Sequence, residues 1–243
     1  MIRSIFLLIT FIVFFSVLSF CQNAIETLKS INKLNDSVIV INNKITINSN
    51  SRTIIIPAVF HKTNDIIEVV LCTSKGKAYE SLLTTEVTPV ELQTALLLLG
   101  YKSLENRMSD IKENDVKKIN QSDSVYLYLQ WADSNKVHNN SIENFIWDMQ
   151  TDSFLKPATW FFNGLLTDTN GSIIENEMVS MIATNYDYTS ILSLNKNVIL
   201  NNSISGVHNN VLGEDTYASK ADRKLSEMKV NLIIKPTAKK QSN

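Results

Sequence analysis

The chain has 243 residues, with 23 Lys and Arg against 24 Asp and Glu, a net charge of −1. That balance argues against a nucleic-acid binder, for which a basic patch is expected, and against binding anionic lipid by charge alone. Two cysteines, Cys21 and Cys72, leave little scope for a disulfide framework, so a hydrophobic core must hold the fold.

The N-terminus reads as a leader. Met1–Arg3 is a short positive region, Ile5–Phe20 is almost wholly apolar, and Ser19 and Cys21 are small residues before Gln22. This pattern predicts a signal peptide over residues 1–21, cleaved after Cys21, and export to the periplasm or beyond. A lipoprotein signal, with Cys21 as the lipidated residue, is the alternative; bulky Phe20 fits it poorly. An uncleaved anchor is the third reading, since about sixteen apolar residues are marginal for a span. Either way, the membrane is met only through this segment. Residues 22–36 are expected to form a tether or short helix, residues 37–236 one domain, and residues 237–243 a polar tail.

Within the domain, Val38–Ile41 and Lys44–Ile47 flank Asn42–Asn43, a hairpin signal because Asn tolerates positive φ. Thr53–Phe60 and Ile66–Thr73 read as a second pair of strands, with Pro57 marking an edge or bulge. Tyr79–Thr85 reads as a strand leading into a helix over about 88–100. Thr88 is its N-cap, Pro89 its first residue, Glu91 the third member of a capping box, and Gly100 its end. Leu92, Ala95, Leu96 and Leu99 share one face. Leu97 and Leu98 widen it until the helix is expected to be buried. Glu105–Asp123 is a polar excursion. Ser124–Trp131 alternates, with Val125, Leu127, Leu129 and Trp131 on one side. Asn135–Asn140 reads as a turn, and Ser141 as the cap of a short helix carrying Ile142, Phe145, Ile146 and Met149 inward. Trp160–Gly164 is an aromatic strand. Ser172–Glu175, Val179–Ala183, Ser190–Leu194 and Asn197–Leu200 are further strands, and Lys229–Lys235 closes the fold. The predicted class is α+β: mostly antiparallel β-sheet with one buried central helix (about 88–100) and a few short helices.

Lys77–Ala78–Tyr79–Glu80–Ser81–Leu82–Leu83, then Pro89, then Ala95–Leu96–Leu97–Leu98–Leu99–Gly100, resembles the YdjY-type family of exported bacterial proteins. The family pattern is Lys-x-His-Glu-Ser-Leu-Leu followed by a Pro-started helix ending Ala-Leu-Leu-Leu-Leu-Gly. Looser likeness continues through Val125–Trp131, Trp160–Gly164 and Val230–Pro236. Tyr79 stands where the pattern has His, so any chemistry of that His is absent here or passes to a phenol. The resemblance implies a fold and a compartment, not a mechanism.

No zinc-protease, phosphate-loop, paired-cysteine or serine-elbow motif is present. His61, His138 and His208 are far apart and read as surface residues. Asp168–Gly171 reads as a turn rather than a calcium loop. Cys72 reads as a buried small apolar residue. No metal and no cofactor is implied. The candidate ligand-binding cluster is Lys77, Tyr79, Glu80 and Ser81 with Trp160 and Asn163, since Trp and Tyr beside a few polar groups suit recognition of a small molecule or an envelope protein. The expected function is an exported binding or assembly module of the cell envelope. A metal-assisted or redox-accessory enzyme is the alternative, and a purely structural envelope protein the third reading.

Overall fold

The computed structural model describes residues 31–104, 122–134, 136–164, 180–185, 187, 189–195 and 217–237. The leader, residues 105–121 of the Glu105–Asp123 excursion, the strands expected at Ser172–Glu175 and Asn197–Leu200, the Asp168–Gly171 turn, His208 and the tail beyond 237 lie outside these residues.

The strands in chain order are β1 (Ile31–Lys33), β2 (Val38–Ile41), β3 (Ile45–Asn48), β4 (Thr53–Phe60), β5 (Val69–Thr73), β6 (Ser81–Thr85), β7 (Ser124–Ala132), β8 (Val137–Ser141), β9 (Ile146–Asp148), β10 (Ser153–Phe154), β11 (Thr159–Phe162), β12 (Ile182–Ala183), β13 (Leu192–Asn195), β14 (Tyr217–Ser219) and β15 (Lys229–Pro236). The single α-helix among the described residues, α1, spans Pro89–Leu98, and short 3-10 turns occupy Ala78–Glu80, Ile142–Phe145 and Arg223–Leu225.

Eight strands close on themselves in the order β4-β15-β7-β11-β13-β12-β5-β6, because β6 pairs back onto β4 through Val59↔Thr84 and Phe60↔Leu83. Most neighbours are antiparallel; β12–β13 and β5–β6 are parallel. Strands β1, β2 and β3 continue the sheet outward from the first half of β4, and β8 pairs with the end of β7. A separate small sheet has the order β10-β9-β14.

An eight-stranded barrel is just wide enough for side chains to fill it. The register carries one face of each strand inward: Phe60 lies opposite Leu83, Leu232 opposite both Ile56 and Leu129, and Trp160 opposite both Leu194 and Val125. All of these are fully buried or nearly so. Burying a Trp or Phe side chain contributes roughly 2–3 kcal/mol each, so this interior is the main stabilising element.

The α+β class with a buried central helix is therefore overturned. The molecule is a mostly-β barrel, and α1 lies outside it, against β3. Leu92, Ala95 and Leu96 are buried as expected, but Leu97 and Leu98 are 45% and 47% exposed. At 100° per residue the two point away from the buried face, and the run of leucines in the sequence does not reveal which part of the circumference is covered. The helix termini follow the sequence closely. Thr88 Oγ1 accepts from Glu91 N–H at 3.3 Å, and Glu91 Oε2 accepts from Thr88 N–H at 2.7 Å, which completes the capping box. Gly100, at φ +69°, ends the helix in a Schellman turn: its N–H donates to Leu97 O and that of Tyr101 to Leu96 O. Arg52 then donates from Nε to Leu99 O at 3.1 Å and stacks over Tyr101 at 4.3 Å, placing a cation at the negative end of the helix.

Other local expectations divide. Asn42 and Asn43 form the hairpin turn with φ of 50° and 56°. Pro57 sits where β4 has left β3 after Ile55 and has not yet met β6 at Val59, so its missing N–H interrupts no ladder. The expected turn at Asn135–Asn140 is instead mostly strand β8. The short helix after Ser141 is one 3-10 turn followed by β9, with Ile142, Phe145 and Ile146 buried and Met149 40% exposed. Ile31–Lys33, at the end of the expected tether, is already a strand.

Candidate functional site

Lys77, Tyr79, Glu80 and Ser81 do not form the open strand that the sequence suggested. Ala78–Glu80 is a 3-10 turn, and β6 begins only at Ser81. The turn folds its own polar groups together. Lys77 Nζ stands 3.0 Å from Glu80 Oε1, at ion-pair distance but not aligned as a hydrogen bond. Burial works to lower the Lys77 pKa, yet the neighbouring Glu80 carboxylate outweighs it and the net shift is upward. Ser81 is buried; its Oγ donates to Lys77 O at 2.8 Å and lies 3.0 Å from Cys72 Sγ. Burial pushes the Cys72 thiol above its ordinary range, which makes it a poor nucleophile at neutral pH. Tyr79 alone in this group is open, at 67% exposure.

Trp160 and Asn163 are not beside this turn. Trp160 is on β11, and three strands separate β11 from β6 in either direction around the barrel. Its indole fills the interior, and Nε1 donates to Glu143 Oε1 at 3.3 Å. Glu143 is itself buried, which pushes its carboxyl pKa up, and its Oε2 is in close contact with Ser141 Oγ. Asn163, also buried, follows β11. Its Nδ2 donates to the carbonyls of Asp187 and Ser190, both at 3.0 Å, and the hydroxyls of Ser190 and Ser193 stand at 3.0 and 2.8 Å. The sequence-predicted cluster is thus three places: a self-contained turn, a core indole and a buried amide that ties down a loop.

Of the histidines, His138 accepts or donates at Nε2 to Asp133 Oδ2 at 2.7 Å and stacks on Trp131, while His61 Nδ1 lies 3.8 Å from Glu227. No group of three metal-binding side chains occurs among the described residues.

A different surface is open and carries polar groups on an otherwise apolar wall. A groove of about 570 Å³ runs over the outer wall of the barrel where β4, β15 and β7 lie side by side. Its far wall is the β3 side, through Lys44, and the segment Glu86–Val87. Pro57 helps to open it, because β4 is there between its two partners. The register sets out its floor: Asn231 lies opposite Pro57 on one side and Gln130 on the other, and Lys229 lies opposite Val59. These alternate with the buried residues Val230, Leu232 and Leu129, of which Val230 also borders the groove.

Some polar groups of this wall are already used. Lys44 Nζ donates to Glu86 O at 2.7 Å and stands 3.7 Å from Glu91, and Glu86 Oε1 accepts from Ser74 Oγ at 2.7 Å. Others are free. The side chains of Gln130, Asn231 and Lys229 have no hydrogen-bond or ion-pair partner among the described residues. Sequence reasoning missed this trio. Its signal was the polar side of the β7 and β15 alternation, but no spacing along the chain links residues 130, 229 and 231 until the register brings them together.

No curated protein and no solved structure matches this chain. The model of the YdjY domain matches residues 45–199, from β3 past β13, so most of the barrel lies within the match, while β14 and the closing strand β15 follow it. The match extends over more than half of the sequence, and the chain belongs to the YdjY domain family.

Proposed function

We propose that this protein is an exported binding module of the cell envelope, and that its ligand seats in the groove over β4, β15 and β7. Export rests on the apolar leader, Ile5–Phe20 behind Arg3. Binding rests on one observation: two amides and an ammonium without partners stand together in a concave site on a rigid barrel wall. The strands fix the backbone positions of these groups, so only side-chain freedom is lost when a ligand arrives. Tyr79, exposed on the motif turn, is a second contact point for a protein partner.

The test has two parts. Cell fractionation should place the protein in the periplasm or at the membrane; recovery only from the cytoplasm contradicts export. Capture of envelope components by wild-type protein should be lost in a Gln130→Ala/Asn231→Ala double variant of unchanged stability. Undiminished capture by that variant contradicts the groove.

A further inference from the structure

The groove's chemistry narrows its ligand. Asn231 and Gln130 sit directly across the β15–β7 pair, and each primary amide offers two N–H donors and a carbonyl acceptor. Side by side, they match the alternating N–H and C=O of a peptide main chain. Lys229 is one pleat repeat further along β15, about 7 Å away, and carries the ammonium that Lys44 cannot supply because its own is engaged. Pro57 and Val59, across β15 from these groups, supply an apolar strip for a small side chain. A sugar would ask for an open aromatic face. Trp131, the aromatic residue that borders the groove, is stacked on His138 at 4.9 Å and edge-packed on Phe145 at 5.9 Å.

From this juxtaposition we propose that the groove binds the C-terminal end of an extended peptide, with the main chain held by the Asn231 and Gln130 amides and the terminal carboxylate by Lys229. The assignment rests on the groove being the binding site, and it adds the class of ligand. It differs from a general anion site, because the two amides recognise the peptide unit before the charge. A charge-assisted contact between ammonium and carboxylate is stronger than a neutral one and sets which end of the peptide enters.

The test is an NMR titration of the labelled protein, purified as the cell accumulates it. The probes are N-acetyl-trialanine as free acid, the same peptide as C-terminal amide, and digalacturonate. The free acid is expected to shift the side-chain amide signals of Gln130 and Asn231 at millimolar concentration. The C-terminal amide should bind about tenfold more weakly, the loss of one charge-assisted hydrogen bond. Lys229→Gln should erase that difference. Equal binding of acid and amide overturns the proposal, as do silent Gln130 and Asn231 signals with every probe and stronger binding of digalacturonate than of the tripeptide. If the peptide fails while Gln130→Ala/Asn231→Ala still abolishes envelope capture, the ligand class is wrong and the binding module stands. If capture also survives in that variant, the groove itself is wrong.

Discussion

The turn at Lys77–Ser81 and the groove over β4, β15 and β7 are both polar and both lie on the barrel, yet they use their polar groups in opposite ways. In the turn, the ammonium, carboxylate and hydroxyl are spent on one another and on Lys77 O. In the groove, Gln130, Asn231 and Lys229 point at nothing among the described residues. A recognisable sequence motif thus marks the place where the chain must turn tightly from Gly76 into β6, beside the strand pairing that closes the barrel. The surface proposed to bind has no motif, because its residues need only be polar and outward-facing. Substitutions should therefore separate the two: the turn should register in stability and the groove in binding.

The largest effect is expected inside the barrel. Trp160→Ala should cost about 3–5 kcal/mol in urea unfolding, since it empties the volume of the largest fully buried side chain. A loss below about 1 kcal/mol would mean that Trp160 is not a core residue and would restore it as a site candidate. Ser81→Ala comes next, at about 1 kcal/mol, because the Lys77 carbonyl loses one of its two donors, keeping only Glu80 N–H, and the hydroxyl beside Cys72 is removed. An unchanged midpoint would show that the turn does not depend on this bond.

Glu143 gives a pH-dependent comparison. Burial raises its folded pKa above the ordinary value of 4.5, so the folded protein holds this proton more tightly than the unfolded chain. The stability that comes with it is fully present below 4.5 and is lost as pH rises through the raised value. Glu143→Gln keeps a hydrogen-bonding oxygen for Trp160 Nε1 and removes the titration. The variant should therefore gain stability relative to wild type as pH increases from 4.5 towards neutrality. A difference between the two proteins that does not change with pH would contradict a raised carboxyl. The smallest stability effect is expected for Lys229→Gln, within about 0.5 kcal/mol, since its ammonium has no partner to lose among the described residues.

Much of the strand layout was legible in the sequence. The limits of β4 and β15, the inward row of β7, the Asn42–Asn43 turn and the Thr88–Glu91 capping box all rest on local rules, and local chemistry decides them. Closure of the barrel was not legible. It depends on Phe60 meeting Leu83 across 22 intervening residues, and strand alternation reads the same in an open sheet and a closed one. Helix α1 misled for a related reason: Leu96–Leu99 is uniformly apolar, so composition could not show that Leu97 and Leu98 face away from the barrel. The members of the candidate cluster are dispersed in the fold: aromatic residues near polar ones in a sequence suggest a site, whereas here Trp160 fills the interior.

The most direct measurement is a side-by-side comparison of Ser81→Ala and Gln130→Ala/Asn231→Ala, each followed by urea unfolding and by capture of envelope components at a temperature where both are folded. The expected result is a crossed pattern: Ser81→Ala lowers the unfolding midpoint and retains capture, and the groove variant keeps the midpoint and loses capture. The reverse pattern, with capture lost at the turn and kept at the groove, would place the binding surface at the motif and contradict the division drawn between the two regions.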